Sequence, residues 1–191
     1  PTRAGIVHPS LRQDMLGPMV EACHRRDIRV AAYFNAGLDH ENALPHRDWC
    51  KLTPQGEVYE MSRLGVHGSN FFRNMCFQTG YRDYLLAMID EVLTDYPVDG
   101  LFLDCICKEY PCLGAECVAV MEQHGWDPGR PDDVLRCSAW VTESFMAEVS
   151  RLVARRCRRR RGFKLYFNGA GYRRQPTHLE LEILPTGGWG Y

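Results

Sequence analysis

An amphipathic stretch from Tyr81 to Tyr96 runs into Pro97. The apolar run Val98-Asp99-Gly100-Leu101-Phe102-Leu103 follows and ends on the carboxylate of Asp104. Tyr81, Tyr84, Leu85, Met88, Ile89, Val92 and Leu93 keep a helical period, which predicts a helix with one buried face. Proline stops that helix, and the run after it reads as a buried strand with an acid at its C-terminal end. A helix leading into such a strand calls for parallel strands joined by helical crossovers.

The same pattern recurs along the chain. Ala4 to Val7 reads as a short strand closing on His8-Pro9, and Ser10 with Gln13 reads as a capping box for a helix bearing Leu11, Met15, Met19, Val20 and Cys23. Ile28 to Phe34 is a near-continuous apolar strand ending at Asn35. Leu38 to about Gly80 shows no helical period, and a connection this long usually serves as a lid or binding loop. After Asp104 come a Cys-rich loop, a short helix ending at Gly125 and a long helix from Ser138 to about Arg160. Gly162 is the expected cap of that helix, and Phe163 to Phe167 and His178 to Leu184 are further strands. The order predicts an α/β fold, a partial (β/α)8 TIM barrel of about five strands. Residues 1–191 are expected to be one barrel domain truncated at both ends.

Composition narrows the class. The chain is 45% hydrophobic with a formal net charge of −1, which suits a soluble globular domain and gives no electrostatic reason to expect nucleic acid or a membrane surface as partner. Nine cysteines, odd in number and irregular in spacing, point to reduced thiols and a cytoplasmic location. The sequence leaves export and oligomeric state open.

Polar residues gather at the strand ends: His8, Asn35, Asp104, Asn168 and Glu182. In an α/β barrel these ends share one face. In the last strand Leu179, Leu181 and Ile183 alternate with His178, Glu180 and Glu182, so two carboxylates face away from the apolar side. Asp104 with Glu182, or Glu180 in reserve, is the minimum equipment for hydrolysing a glycosidic bond: one carboxylate as nucleophile or base, one carboxylic acid as proton donor. His8, Asn35 and Asn168 offer hydrogen bonds to sugar hydroxyls. Trp189 and Tyr191, with Trp49 or Tyr59 from the long loop, offer rings to stack on a pyranose. The bland alternatives are a strand-end Asp that anchors a loop and glutamates paired with Arg173 or Arg174.

The stretches AAYFNAGLDHENALPHRDW, YRDYLLAMIDEVLTDYPVDGLFLD and HLELEILPTGGWGY resemble the TIM-barrel glycosidase family called hypothetical glycosyl hydrolase 6, which is akin to α-L-fucosidases and β-galactosidase-type barrels. The resemblance implies a carbohydrate substrate and strands equivalent to roughly the second through sixth of a barrel. It also implies the nucleophile role for Asp104, and with less force the acid role for Glu182 or Glu180.

Three other clusters carry weaker signals. Cys105, Cys107, Cys112 and Cys117 follow Asp104 as C-x-C-x4-C-x4-C; four thiolates can enclose structural zinc, but this is not one of the common paired spacings. The expectation is a loop of free thiols and no cofactor. Arg155, Arg156 and Arg158 to Arg161 read as a solvated helix end, where cations complement the macrodipole. His40, His46 and His67 lie in the long loop with Asp39, Glu41 and Asp48. The rival functions are therefore a non-catalytic carbohydrate-binding barrel and a metal-dependent hydrolase using His8, the loop histidines and Asp104.

Overall fold

The structure, a computed structural model, describes residues 2–59, 73–106 and 110–168. Three parallel strands, β1 (Ala31–Asn35), β2 (Gly100–Asp104) and β3 (Lys164–Phe167), form a sheet in the order β1-β2-β3. Helix α1 (Leu16–His24) precedes β1. Short helix α2 (His40–Ala43) and a single 3₁₀ turn at Arg47–Trp49 follow it. Helix α3 (Tyr81–Asp95) leads into β2, and α4 (Ala115–His124) and α5 (Pro131–Arg156) lead into β3. Among the described residues no helix is long and apolar enough to cross a membrane.

Each strand alternates. Ala32, Leu101, Leu103, Leu165 and Phe167 are buried and join Leu85, Ile89, Leu93, Phe145 and Val149 of α3 and α5 in one core. Phe77 stacks on Phe145 with centroids 4.2 Å apart, tying the approach to α3 onto α5. Val141, Phe145, Val149 and Leu152 are among the buried residues of α5, and the helix starts earlier than the expected Ser138, with Pro131 in its first turn. Gly125 ends α4 at φ 69, where a residue without Cβ costs least.

The five-strand barrel is corrected: the described residues form a three-stranded parallel sheet with five helices. Ala4 to Val7 is not a strand. Its backbone N–H groups go to side chains instead of a ladder: Ala4 donates to Glu91, Gly5 to Thr2 and Ile6 to the Tyr84 hydroxyl. Four residues with no clear alternation specify too little to hold a strand register. The other predicted strand, His178 to Leu184, lies outside the described residues. The Ser10–Gln13 capping box does not open α1 either; Asp14 accepts from the N–H groups of Leu16 and Gly17 in its place.

The basic block does more than sit in solvent. Arg160 donates to the carbonyls of Leu93, Tyr96 and Val98, satisfying backbone acceptors between α3 and β2. Arg156 grips Asp90 of α3 through two bonds of 2.5 and 2.6 Å.

At the opposite end of the sheet from Asp104, Asp99 accepts from the Val30 N–H and pairs with His24 Nε2, each at 2.8 Å. Burial pushes the Asp99 carboxyl up, but these bonds outweigh it and hold the group below the ordinary carboxylate range. A depressed folded-state value stabilises the protein fully above the unfolded value, near about pH 4, and the contribution fades as pH falls through the folded one. Asp99→Asn should therefore lower the melting temperature at neutral pH. The gap to wild type should close in acid below about pH 4 in a series of thermal melts; a gap independent of pH would refute this linkage.

Candidate functional site

Alternation places Tyr33 and Asn35 of β1, Phe102 and Asp104 of β2, and Tyr166 followed by Asn168 on the sheet face turned away from the core. The register sets Tyr33 beside Phe102 beside Tyr166, and Asn35 beside Asp104. Tyr33 and Phe102 stack with centroids 5.8 Å apart, and Phe102 and Tyr166 meet at the same distance with a tilt. An aromatic row thus crosses all three strands one step below the polar ends.

Asp104 is the centre of this rim because β2 is the central strand. Its Oδ2 accepts from the Tyr33 hydroxyl at 2.5 Å; its Oδ1 accepts from Asn168 Nδ2 at 2.8 Å and from the Cys105 N–H at 2.7 Å. Three donors from three segments converge on one carboxyl group, as suits an acceptor-only side chain. The backbone is locked at the same point. The Asp104 carbonyl accepts from the N–H groups of Ala36 and Gly37, and Asn168 N–H reaches the Leu103 carbonyl. Cys105 turns the chain off the strand at φ 58, in the left-handed region. Gly37 makes room for that turn: a Cβ there would lie 1.8 Å from the Cys105 carbonyl oxygen.

The other sequence candidates fall in different places. Asn35 is exposed at the rim beside Asp104, whereas Asn168 spends its Nδ2 on Asp104. His8 is exposed in the N-terminal segment and lines a cleft with Asp39, Asn42 and Tyr84 that does not include Asp104. Trp49 stacks on His46 at 3.9 Å and packs against Tyr81 and Tyr84, so its ring is committed to the protein. Tyr59 meets Tyr110 edge-on. Glu180, Glu182, Trp189, Tyr191, His67 and Cys107 lie outside the described residues. Sequence reasoning missed Tyr33, Phe102 and Tyr166. Counting two residues back from Asn35, Asp104 and Asn168 finds all three, since period two keeps them on one face.

Metal-ligating side chains cluster elsewhere. Among the described residues the loop histidines join no group of three or more ligands; the group that does form is Cys76, Cys112 and Cys117, with all sulfurs within 4.8 Å of one another and all three residues buried. Cys105 is not part of it. Hydrogen bonds from Cys117 and Cys76 pull the Cys112 thiol well below the ordinary thiol range, and the same bonds hold the two donors above it.

Residues 2–105, more than half of the chain, match the model of a family described as hypothetical glycosyl hydrolase 6. No curated protein sequence matches the chain. Among solved structures, the α-L-fucosidase isoenzyme 2 from Paenibacillus thiaminolyticus is similar with a TM-score of 0.84 and 26% identity. The likeness covers 100% of this chain and 29% of that one, so the chain spans under a third of that enzyme's length.

Proposed function

The chain belongs to the hypothetical glycosyl hydrolase 6 family, and on that premise we propose that it hydrolyses an O-glycosidic bond, with an α-L-fucoside as substrate. The observation that carries this reading is the threefold hydrogen-bonded carboxyl of Asp104 on the rim of an aromatic sheet face. A carboxylate has about four lone-pair positions, and the donors among the described residues take three, leaving one on Oδ2. That atom would meet the anomeric carbon, as nucleophile or as stabiliser of the oxocarbenium-like transition state. Glu182, with Glu180 as second choice, would give the departing oxygen its proton. Tyr33 and Asn168 are positioning residues in this scheme, fixing the carboxylate plane before substrate arrives.

Beside that centre, Asn35 would bind a hydroxyl, and Trp189 and Tyr191 would stack on the sugar; His8, which lines a separate cleft, would serve only a longer substrate. Tyr33, Phe102 and Tyr166 add a second apolar surface of the kind a pyranose face covers. The fucoside assignment rests on the similarity to that α-L-fucosidase, which is 26% identical over the whole of this chain.

The test is a panel of aryl glycosides. The α-L-fucoside should be turned over with a kcat/KM at least about tenfold above the β-D-galactoside and the other members. Turnover of another sugar in preference would replace the substrate and keep the reaction class. Sugar binding without turnover across the panel would overturn hydrolysis in favour of a carbohydrate-binding domain.

A further inference from the structure

We propose that Cys76, Cys112, Cys117 and Cys137 form a structural site for a thiophilic divalent cation, zinc foremost, that pins the loops flanking Asp104. The four residues come from four segments: the approach to α3, the loop before α4, α4 itself and α5. Their convergence is therefore a product of the fold and not of a local spacing. All four are buried. The sulfurs of Cys76 and Cys117 are 3.4 Å apart, and Cys112 completes a triangle within 4.8 Å. Zinc bound at about 2.3 Å by tetrahedral sulfurs needs sulfur–sulfur edges of about 3.8 Å, which lies between those two distances. Cys137 Sγ lies outside that triangle, 3.6 Å from the Cys117 carbonyl oxygen, and would turn inward to supply the fourth corner.

A second observation separates this cluster from cysteines that merely fill the core. Cys112 Sγ receives two backbone N–H groups, from Leu52 at 3.5 Å and Gly114 at 3.3 Å. Such donors stabilise charge on sulfur and orient a ligand thiolate, as outer-shell groups do in metal sites. Apolar packing has no use for them. The Leu113 N–H also bonds the Leu52 carbonyl at 2.9 Å, so the donors sit on the seam between the long loop after β1 and the loop after β2. A cation here would clamp that seam from below, and its role is to brace the rim. It takes no part in bond cleavage, so this inference stands or falls apart from the hydrolase reading.

Elemental analysis of the purified protein should find about one zinc per chain. Cys112→Ser should drop this below about a tenth, whereas Cys23→Ser, away from the cluster, should keep it. Cobalt exchanged into wild type gives a readout that does not depend on a variant's folding. Intense thiolate-to-cobalt charge-transfer bands with the visible signature of tetrahedral coordination are expected, and a mercurial reagent should abolish them. Zinc content unchanged in Cys112→Ser would overturn the proposal. So would metal-free protein whose four thiols all react freely, or whose mass is two hydrogens lighter because Cys76 and Cys117 have formed a disulfide.

Discussion

Replacing Asp104 with Asn is expected to lower glycosidase kcat/KM by about a thousandfold or more while leaving the fold in place. The new amide oxygen takes the place of Oδ1 and still accepts from the Cys105 N–H and Asn168 Nδ2. The new NH₂ replaces Oδ2, and the Tyr33 hydroxyl can rotate to accept from it, because a hydroxyl is donor and acceptor alike. No buried group loses its partner, so the stability change should stay within about 1 kcal/mol. The negative charge and the vacant lone pair are lost completely, and those are what the chemistry uses. Steady-state kinetics on the aryl fucoside beside a urea titration separates the two effects. Full activity in a correctly folded Asp104→Asn protein would remove Asp104 from the reaction.

Gly37→Ala should have the largest effect on stability, about 3 kcal/mol or more. The clash is with backbone: the added methyl would stand 1.8 Å from the Cys105 carbonyl oxygen and 2.8 Å from its carbon. No flexible side chain can yield, and the Cys105 turn is already held at φ 58. Relief requires the ends of β1 and β2 to separate, which breaks the Gly37–Asp104 hydrogen bond and pulls the floor from under the Asp104 carboxyl. Gly56→Ala is the matched control. It has φ 75 with nothing within 4 Å, so it carries only left-handed strain of about 1–2 kcal/mol. Equal denaturation midpoints for the two variants would show that the close approach at Gly37 is not what holds the rim together.

Helix α3, strand β2 and the acid at its end were legible because they are written locally. A period of 3.6 from Tyr81, a proline stop and an apolar run ending at Asp104 need no distant partner to be recognised. The long helix and β3 were legible for the same reason. Ala4 to Val7 failed where the signal was too short, and its N–H groups found Glu91, Thr2 and Tyr84 instead of a neighbouring strand. The barrel failed because closure is a property of how sheet edges meet, and no single segment encodes it.

The cysteines show the same division. Proximity in sequence grouped Cys112 and Cys117 with Cys105 and Cys107, whereas packing of the long loop, α4 and α5 grouped them with Cys76 and Cys137. Nothing in a one-dimensional spacing reports a contact across 41 residues.

By itself the sequence determined the helix-then-strand units, the carboxylate at the end of β2 and the family to which the chain belongs. Those follow from side-chain periodicity and residue identity, which act over a turn or two of chain. Only the tertiary structure decided that Asp104 lies on the central strand, that Tyr33 and Asn168 hold it, that Gly37 leaves room for the Cys105 turn, and that the sulfurs of Cys76, Cys112 and Cys117 meet. Each of these depends on parallel register and on crossovers folding back over the sheet, and side chains far apart in sequence come within bonding distance only when the whole core closes.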